Sequence, residues 1–285
     1  MHWQTARYRI DLSRPQVMGI VNVTPDSFSD GGRHDTPAAA LAHCERLLRE
    51  GADILDIGGE STRPGSAAPG SELEMVRVLP VLAQAVKLGV PVSVDTSDAE
   101  LMRRALDLGA DIVNDVRALR RPGAMAAVTA HPAAGVCLMH MKGEPGTMTG
   151  EAVYGDVVAE VVDFLRIHAQ ALEAAGVAHE RIVLDPGIGF AKTVVHNLAL
   201  LRRQEELLAA GWPLLVGWSR KRSLGEITGR AVDERQPASV AAALIAAQRG
   251  AAILRVHDVA ATVDALKIWA AVQAGSSHAT TNKDP

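Results

Sequence analysis

The chain has 285 residues, with 29 Lys and Arg against 33 Asp and Glu; a formal net charge of −4 and the lack of any basic tract argue against a surface for nucleic acid or anionic lipid. A hydrophobic content of 48% beside 22% charged residues excludes a disordered chain, a coiled coil and a collagenous repeat. No apolar run reaches the ~18 to 20 residues of a membrane span, and the amino terminus, Met1-His2-Trp3-Gln4, lacks the apolar stretch of a secretory leader, so a cytoplasmic location is expected.

Residues before Arg14 are expected to form a small lead-in element. Eight short apolar runs follow, most of them too continuous to be strands with one wet face. They are Val17 to Thr24, Asp53 to Gly59, Val90 to Thr96, Asp111 to Val116, Gly135 to Met141, Ile182 to Gly189, Pro213 to Ser219 and Ala252 to Asp258. Between them the spacing predicts helices over Ala38 to Glu50, Ser71 to Leu88, Ala99 to Leu108, Ala152 to Ala175, Asn197 to Ala210, Gln236 to Arg249 and Val259 to Ala274. Gly51, Gly89, Gly109, Gly176, Gly211 and Gly250 each stand after a helix and before a strand, where a left-handed cap belongs. Alternating helices and doubly buried strands imply a parallel α/β sheet. Eight such units in one chain fit a single closed (β/α)₈ TIM barrel over residues 1–274, followed by a polar, disordered tail over 275–285. Cys44 and Cys137 share no metal-ligand spacing and read as buried thiols.

The polar residues gather at one end of these strands. Asn22 and Thr24 close the first; Asp56, Glu60, Ser61, Thr62 and Arg63 lie in or after the second; Asp95 and Thr96 end the third; Asn114 and Asp115 close the fourth. His140 ends the fifth, Asp185 lies in the sixth, Ser219, Arg220 and Lys221 end the seventh, and Arg255 and His257 lie in the eighth. In a barrel all of these face one mouth, at the C-terminal end of the strands where active sites sit. Asp95, Asn114 and Asp185 offer two carboxylates and an amide, which suits a flat heterocycle with N–H donors and a carbonyl on one edge. Lys221, Arg255, His257 and Arg63 suit an anion such as a phosphate. Together they describe a nitrogen heterocycle carrying a phosphorylated arm. The loops after the first two strands are rich in small residues and are candidate flaps. Phe28 and Phe190 sit beside polar loop residues, placed to contact a ring. Gly187-Ile188-Gly189-Phe190-Ala191-Lys192 opens like a dinucleotide motif, but Lys192 stands where the third glycine belongs. With no zinc-like histidine pair, any metal falls to oxygen ligands such as Asn22 and Asp30.

At these residues the sequence resembles the dihydropteroate synthase family. Ordered motifs carry the resemblance from about Gln16 to Trp269: Asn22 to Gly32, Asp56 to Ser66, Ser93 to Thr96, Asn114-Asp115, Leu138 to Met141, Leu184 to Lys192, Gly217 to Lys221, and Arg255 to Asp258. The resemblance implies condensation of p-aminobenzoate with 6-hydroxymethyl-7,8-dihydropterin diphosphate to 7,8-dihydropteroate and pyrophosphate, by a dissociative path. It implies pterin contacts at Asp95, Asn114, Asp185, Lys221 and Arg255, and p-aminobenzoate contacts at Phe28, Thr62, Pro64, Phe190, Lys221 and Arg222. It also implies pyrophosphate contacts at Asn22, Arg63, Arg255 and His257, with Mg²⁺ at Asn22 and Asp30. Asp95, Asp185, Lys221, Arg255 and His257 are then the catalytic set, sulfonamides are expected competitors, and a homodimer is expected through late helices.

The sequence departs from the family pattern at Arg222, where a small residue is frequent, and at Trp218, Ile188 and Ala191. Two alternatives share part of this pattern: a pterin-binding methyltransferase barrel serving a corrinoid partner, and a silent pterin-binding homologue. The first has no diphosphate to hold, and Asp30, Arg63, Lys221 and His257 together disfavour it. The second would have lost anion-side residues, and all are present.

Overall fold

A short antiparallel hairpin, β1 (His2–Gln4) and β2 (Arg9–Asp11), opens the chain in the computed structural model, which describes residues 1–23, 37–60, 70–144 and 147–278. The apolar runs then become eight parallel strands: β3 (Gln16–Asn22), β4 (Ile54–Gly58), β5 (Val92–Asp95), β6 (Ile112–Asp115), β7 (Gly135–Met139), β8 (Ile182–Asp185), β9 (Leu215–Val216) and β10 (Ile253–Val256). Their hydrogen-bonded order is β8-β7-β6-β5-β4-β3-β10-β9. A parallel bridge between Leu184 and Leu214 joins the two ends, with the Leu184 N–H donating to the Pro213 carbonyl at 2.9 Å. The sheet is thereby closed into a (β/α)₈ barrel.

Among the described residues ten α-helices surround it: α1 (Pro37–Arg49), α2 (Ser71–Ala85), α3 (Ala99–Asp107), α4 (Ala124–Thr129), α5 (Val157–Ala174), α6 (Val194–Arg202), α7 (Gln204–Leu208), α8 (Arg222–Thr228), α9 (Gln236–Gln248) and α10 (Val259–His278). Asp98 and Asp156 cap α3 and α5 by accepting main-chain N–H groups of the first turn. The predicted helix over Asn197 to Ala210 is two helices, parted at Arg203, whose guanidinium binds both Asp156 and Glu206. Two helices absent from the sequence reading, α4 and α8, span six and seven residues, too few to show a helical period. At the other end, α10 runs to His278, so residues 275–278, expected in a disordered tail, are helical; 279–285 lie outside the described residues.

Alternation along the strands sorts the core into two bodies. Val17, Leu55, Val94, Val113, Leu138, Leu184 and Leu254 point outward and pack under the helices. Met18, Ile54, Ile112, Cys137, Val183, Leu215 and Ile253 form a separate inner layer with Trp3, Ile10 and Leu12. The hairpin therefore plugs the lower mouth: Trp3 is fully buried, and its indole N–H donates to the Arg181 carbonyl at 2.9 Å. Two residues further along six of these strands come Asp56, Asn114, Met139, Asp185, Gly217 and Arg255, on the same inward side one layer higher. The apolar floor and the polar layer are thus consecutive inward positions of the same strands.

Candidate active site

The polar layer is knit together across the barrel. Arg255, on β10, donates Nε to Asp56 Oδ2 at 2.6 Å and Nη2 to Asp95 Oδ2 at 2.7 Å, reaching past β3 to β4 and β5. Asn114 on β6 donates to the same Asp56 oxygen at 3.2 Å. Asp56 is fully buried, and its other oxygen, Oδ1, has no partner among the described residues. A buried carboxylate oxygen left unpaired costs several kcal/mol, so Asp56 is an acceptor held ready beneath the mouth. Burial pushes the Asp95 carboxyl upward; Arg255 opposes the shift and the nearby Asp56 carboxylate adds to it.

Asp185 ends β8 and receives the Gly187 N–H at 2.7 Å. Its pKa is raised by burial, against the pull of that hydrogen bond and of Lys221 and Arg255. Lys221, from the end of the β9 unit, lies half-buried with its ammonium 4.2 Å from the centroid of the Phe190 ring. Burial lowers its pKa to about 8, with Asp185 holding it up. Asp185, Lys221, Arg255 and Asp95 therefore sense one another's charges. Phe190 itself is buried among Val116, Met139, Met141, Met148 and Ala191.

His257, just past β10, has its Nδ1 3.0 Å from Ser219 Oγ, while its main-chain N–H donates to the same hydroxyl at 3.1 Å. With that hydroxyl giving its own proton to Nδ1, the Nε2–H is the outward donor. Burial, reinforced by Arg220 and Arg255, lowers the imidazole to about 3, so the ring is neutral. Asn22 closes β3, half-buried, and no described residue takes up its amide. An amide oxygen is a hard ligand of the kind Mg²⁺ accepts alongside water and phosphate oxygens. Among the described residues no group of three His, Cys, Asp or Glu converges on a point, and Asn22 is the described side chain that would hold such an ion. Arg222 begins α8, but its guanidinium binds Glu226 at 2.6 Å and its side chain is 76% exposed. Phe28, Asp30, Thr62, Arg63 and Pro64 lie outside the described residues.

Comparison with known proteins bears on this arrangement directly. Residues 18–257 match the pterin binding enzyme family. Over 276 residues the chain is 53% identical to the dihydropteroate synthase of Neisseria meningitidis serogroup B, covering 95% of this chain and 97% of that one. The chain belongs to the dihydropteroate synthase family. The solved structure of Xanthomonas albilineans dihydropteroate synthase with 4-aminobenzoic acid superposes with a TM-score of 0.91 at 53% identity, covering 96% of this chain and 99% of that one. That of Burkholderia cenocepacia dihydropteroate synthase complexed with 7,8-dihydropteroate does so with a TM-score of 0.89 at 49% identity, covering 97% and 98%.

Within this member of the family, three features escaped the sequence reading. Asp56 was seen only as one polar residue near a strand end, because its link to Arg255 spans 199 positions. Lys192, noted only for spoiling a dinucleotide motif, is buried with its ammonium among main-chain carbonyls. Arg117, 2% exposed, binds Glu60 at 2.8 Å, Glu144 at 2.7 Å and Ser97 at 2.9 Å, fastening the ends of β4, β5 and β7 to the loop after β6. The signal for Arg117 was its place two residues after Asp115, whose carboxylate caps the Arg117 N–H at 2.8 Å.

Proposed function

We propose that this chain condenses p-aminobenzoate with 6-hydroxymethyl-7,8-dihydropterin diphosphate, giving 7,8-dihydropteroate and pyrophosphate, as a Mg²⁺-dependent transferase acting in the cytoplasm as a homodimer of single-domain barrels. The observation that carries the reading is the ionic lattice of Asp56, Asp95, Asn114 and Arg255, with Asp185 and Lys221 beside it, one inward register above an apolar floor. It offers acceptors and donors to a flat aminopyrimidinone and closes the barrel beneath it. The relatives' complexes with 4-aminobenzoic acid and 7,8-dihydropteroate supply the matching substrates.

The demanding step breaks the C–O bond between the pterin methylene and the diphosphate; the electron pair departs with pyrophosphate and leaves a delocalised pterin cation. The arylamine lone pair then forms the C–N bond, and the amine proton is lost. Burial makes the charged forms of Asp95 and Asp185 costly at rest. A pterin gaining positive charge reverses that penalty, so these carboxylates favour the transition state over the ground state. Asp95, Asn114, Asp185, Lys221 and Arg255 hold the pterin in this reading. The neutral His257, through Nε2–H, and Arg63 receive the departing anion, with Asn22 and Asp30 as the ligands of a Mg²⁺ that would neutralise it. Phe190 and Lys221 form the described part of the p-aminobenzoate site, completed by Phe28, Thr62, Pro64 and the main chain at Arg222. Ile245 on α9 and Ile268 on α10, 42% and 68% exposed, support a dimer contact on these late helices.

Pyrophosphate release tests the reading. Purified protein with Mg²⁺ and both substrates is expected to release it, with a sulfonamide competing against p-aminobenzoate. A protein that binds the pterin and releases none in the presence of p-aminobenzoate would be a silent homologue instead.

A further inference from the structure

The loop after β8 is more elaborately held than substrate contact at Phe190 requires. Between Asp185 and α6 the backbone enters the left-handed region at Gly187 (φ 68°), Gly189 (φ 83°) and Ala191 (φ 50°). A side chain at Gly187 is impossible, since a Cβ there would lie 2.0 Å from the His140 carbonyl oxygen. Ala191 adopts its conformation despite a methyl group, so the surroundings impose it.

Lys192 ties the loop together. Its ammonium donates to the carbonyl oxygens of Gly187 and Phe190 at 3.0 Å each and to His140 Nδ1 at 2.9 Å, with the His140 carbonyl at 3.4 Å. Three N–H bonds thus meet a cage of acceptors from both ends of the loop and from the end of β7. The cage itself is made of carbonyl and imidazole acceptors, and Asp185 acts on the ammonium through its charge. Burial lowers its pKa to about 7, and burial with the neighbouring ammonium lowers His140 to about 2, which keeps Nδ1 an acceptor.

A second clamp comes from α6. Asn197 is fully buried; its Oδ1 accepts the Gly189 N–H at 2.9 Å and its Nδ2 donates to Ser223 Oγ, in the first turn of α8, at 2.8 Å. Gly189 is also where the Lys221 side chain crosses, since a Cβ there would meet Lys221 Cδ at 3.1 Å. One clamp therefore fixes the carbonyl of Phe190. The other fixes the separation between the Phe190 loop and the chain that presents Lys221.

We propose that Lys192 and Asn197 are positioning residues for the arylamine, holding the Phe190 ring and the Lys221 ammonium at the spacing that receives an aromatic ring with its carboxylate. The proposal rests on the p-aminobenzoate reading above. Neither residue touches the substrate. Releasing the loop weakens arylamine binding most, because the pterin keeps Asp95, Asn114, Asp185 and Arg255, which are carried on strands, and shares only Lys221 with the loop.

Asn197→Leu and Lys192→Met are to be measured by pyrophosphate release with each substrate varied in turn. The Michaelis constant for p-aminobenzoate is expected to rise at least about tenfold while that for the pterin diphosphate stays within about threefold. Asn197→Asp keeps an oxygen toward the Gly189 N–H and another toward the Ser223 hydroxyl, and is expected to recover most of the loss. Equal rises in both constants, or a lower melting temperature with both unchanged, would overturn the positioning role. Should Asn197→Leu fail to fold, Ser223→Ala removes only the far end of the bridge; a p-aminobenzoate constant raised about threefold supports the role, and an unaltered one overturns it. A folded wild type releasing no pyrophosphate would instead overturn the functional reading itself.

Discussion

The two inward layers of this barrel differ by two residues of sequence and by everything in their chemistry. The lower one, Met18, Ile54, Ile112, Cys137, Val183, Leu215 and Ile253 under Trp3, is apolar and closed. The upper one is ionic, with Asp56 Oδ1 left without a partner among the described residues. Since the strands are common to both, backbone geometry cannot be what separates stability from function. The separation lies in which side chain occupies each inward position, and the cost of a carboxylate held ready above is borne by the packed apolar layer below, which fixes the strands.

The largest expected effect tests the lower layer. Trp3→Ala removes a fully buried indole and its hydrogen bond, and should cost about 3–5 kcal/mol of stability while leaving both Michaelis constants of the folded enzyme near wild type. Denaturant unfolding and steady-state kinetics on the same preparation check it. The upper layer should behave inversely. Asp185→Ala or Lys221→Ala is expected to lower turnover at least about a hundredfold with little change in the unfolding midpoint. Turnover near wild type in both variants would remove the electrostatic role assigned to them.

How far the sequence announced these layers follows from the range of each contact. Continuous apolar runs gave away the strands, and polar residues at one end of every run gave away the mouth, because both are local patterns. The partners of Arg255 were illegible, since they lie 199 and 160 positions away and depend on barrel closure. Arg222 shows the converse: at sequence level it stood beside a site lysine, yet the i,i+4 carboxylate of Glu226 draws its side chain to the surface. His140 ended an apolar run like the other site residues but faces Phe164 outside the barrel, where its ring is 4.8 Å from that ring. A one-residue step along the strand decides between those two sides.

A smaller effect sharpens the comparison through pH. Lys221 titrates at about 8 in the folded protein against an ordinary 10.5, so the unfolded chain binds more protons between those values. Stability contributed by this group therefore rises with pH across the window from about 8 to 10.5, while activity that needs the ammonium falls. The specificity constant for the pterin diphosphate should decline above about pH 8, and in Lys221→Arg, which stays charged, that decline should flatten.

The central claim, that the upper inward layer is one pterin site, is tested most directly by calorimetric titration with 6-hydroxymethylpterin. Wild-type protein and Trp3→Ala, measured where both are folded, should bind one pterin per chain with similar affinity, while Asp95→Ala, Asn114→Ala and Asp185→Ala should each bind it at least about tenfold more weakly. Equal affinity across the three upper-layer variants would contradict the account.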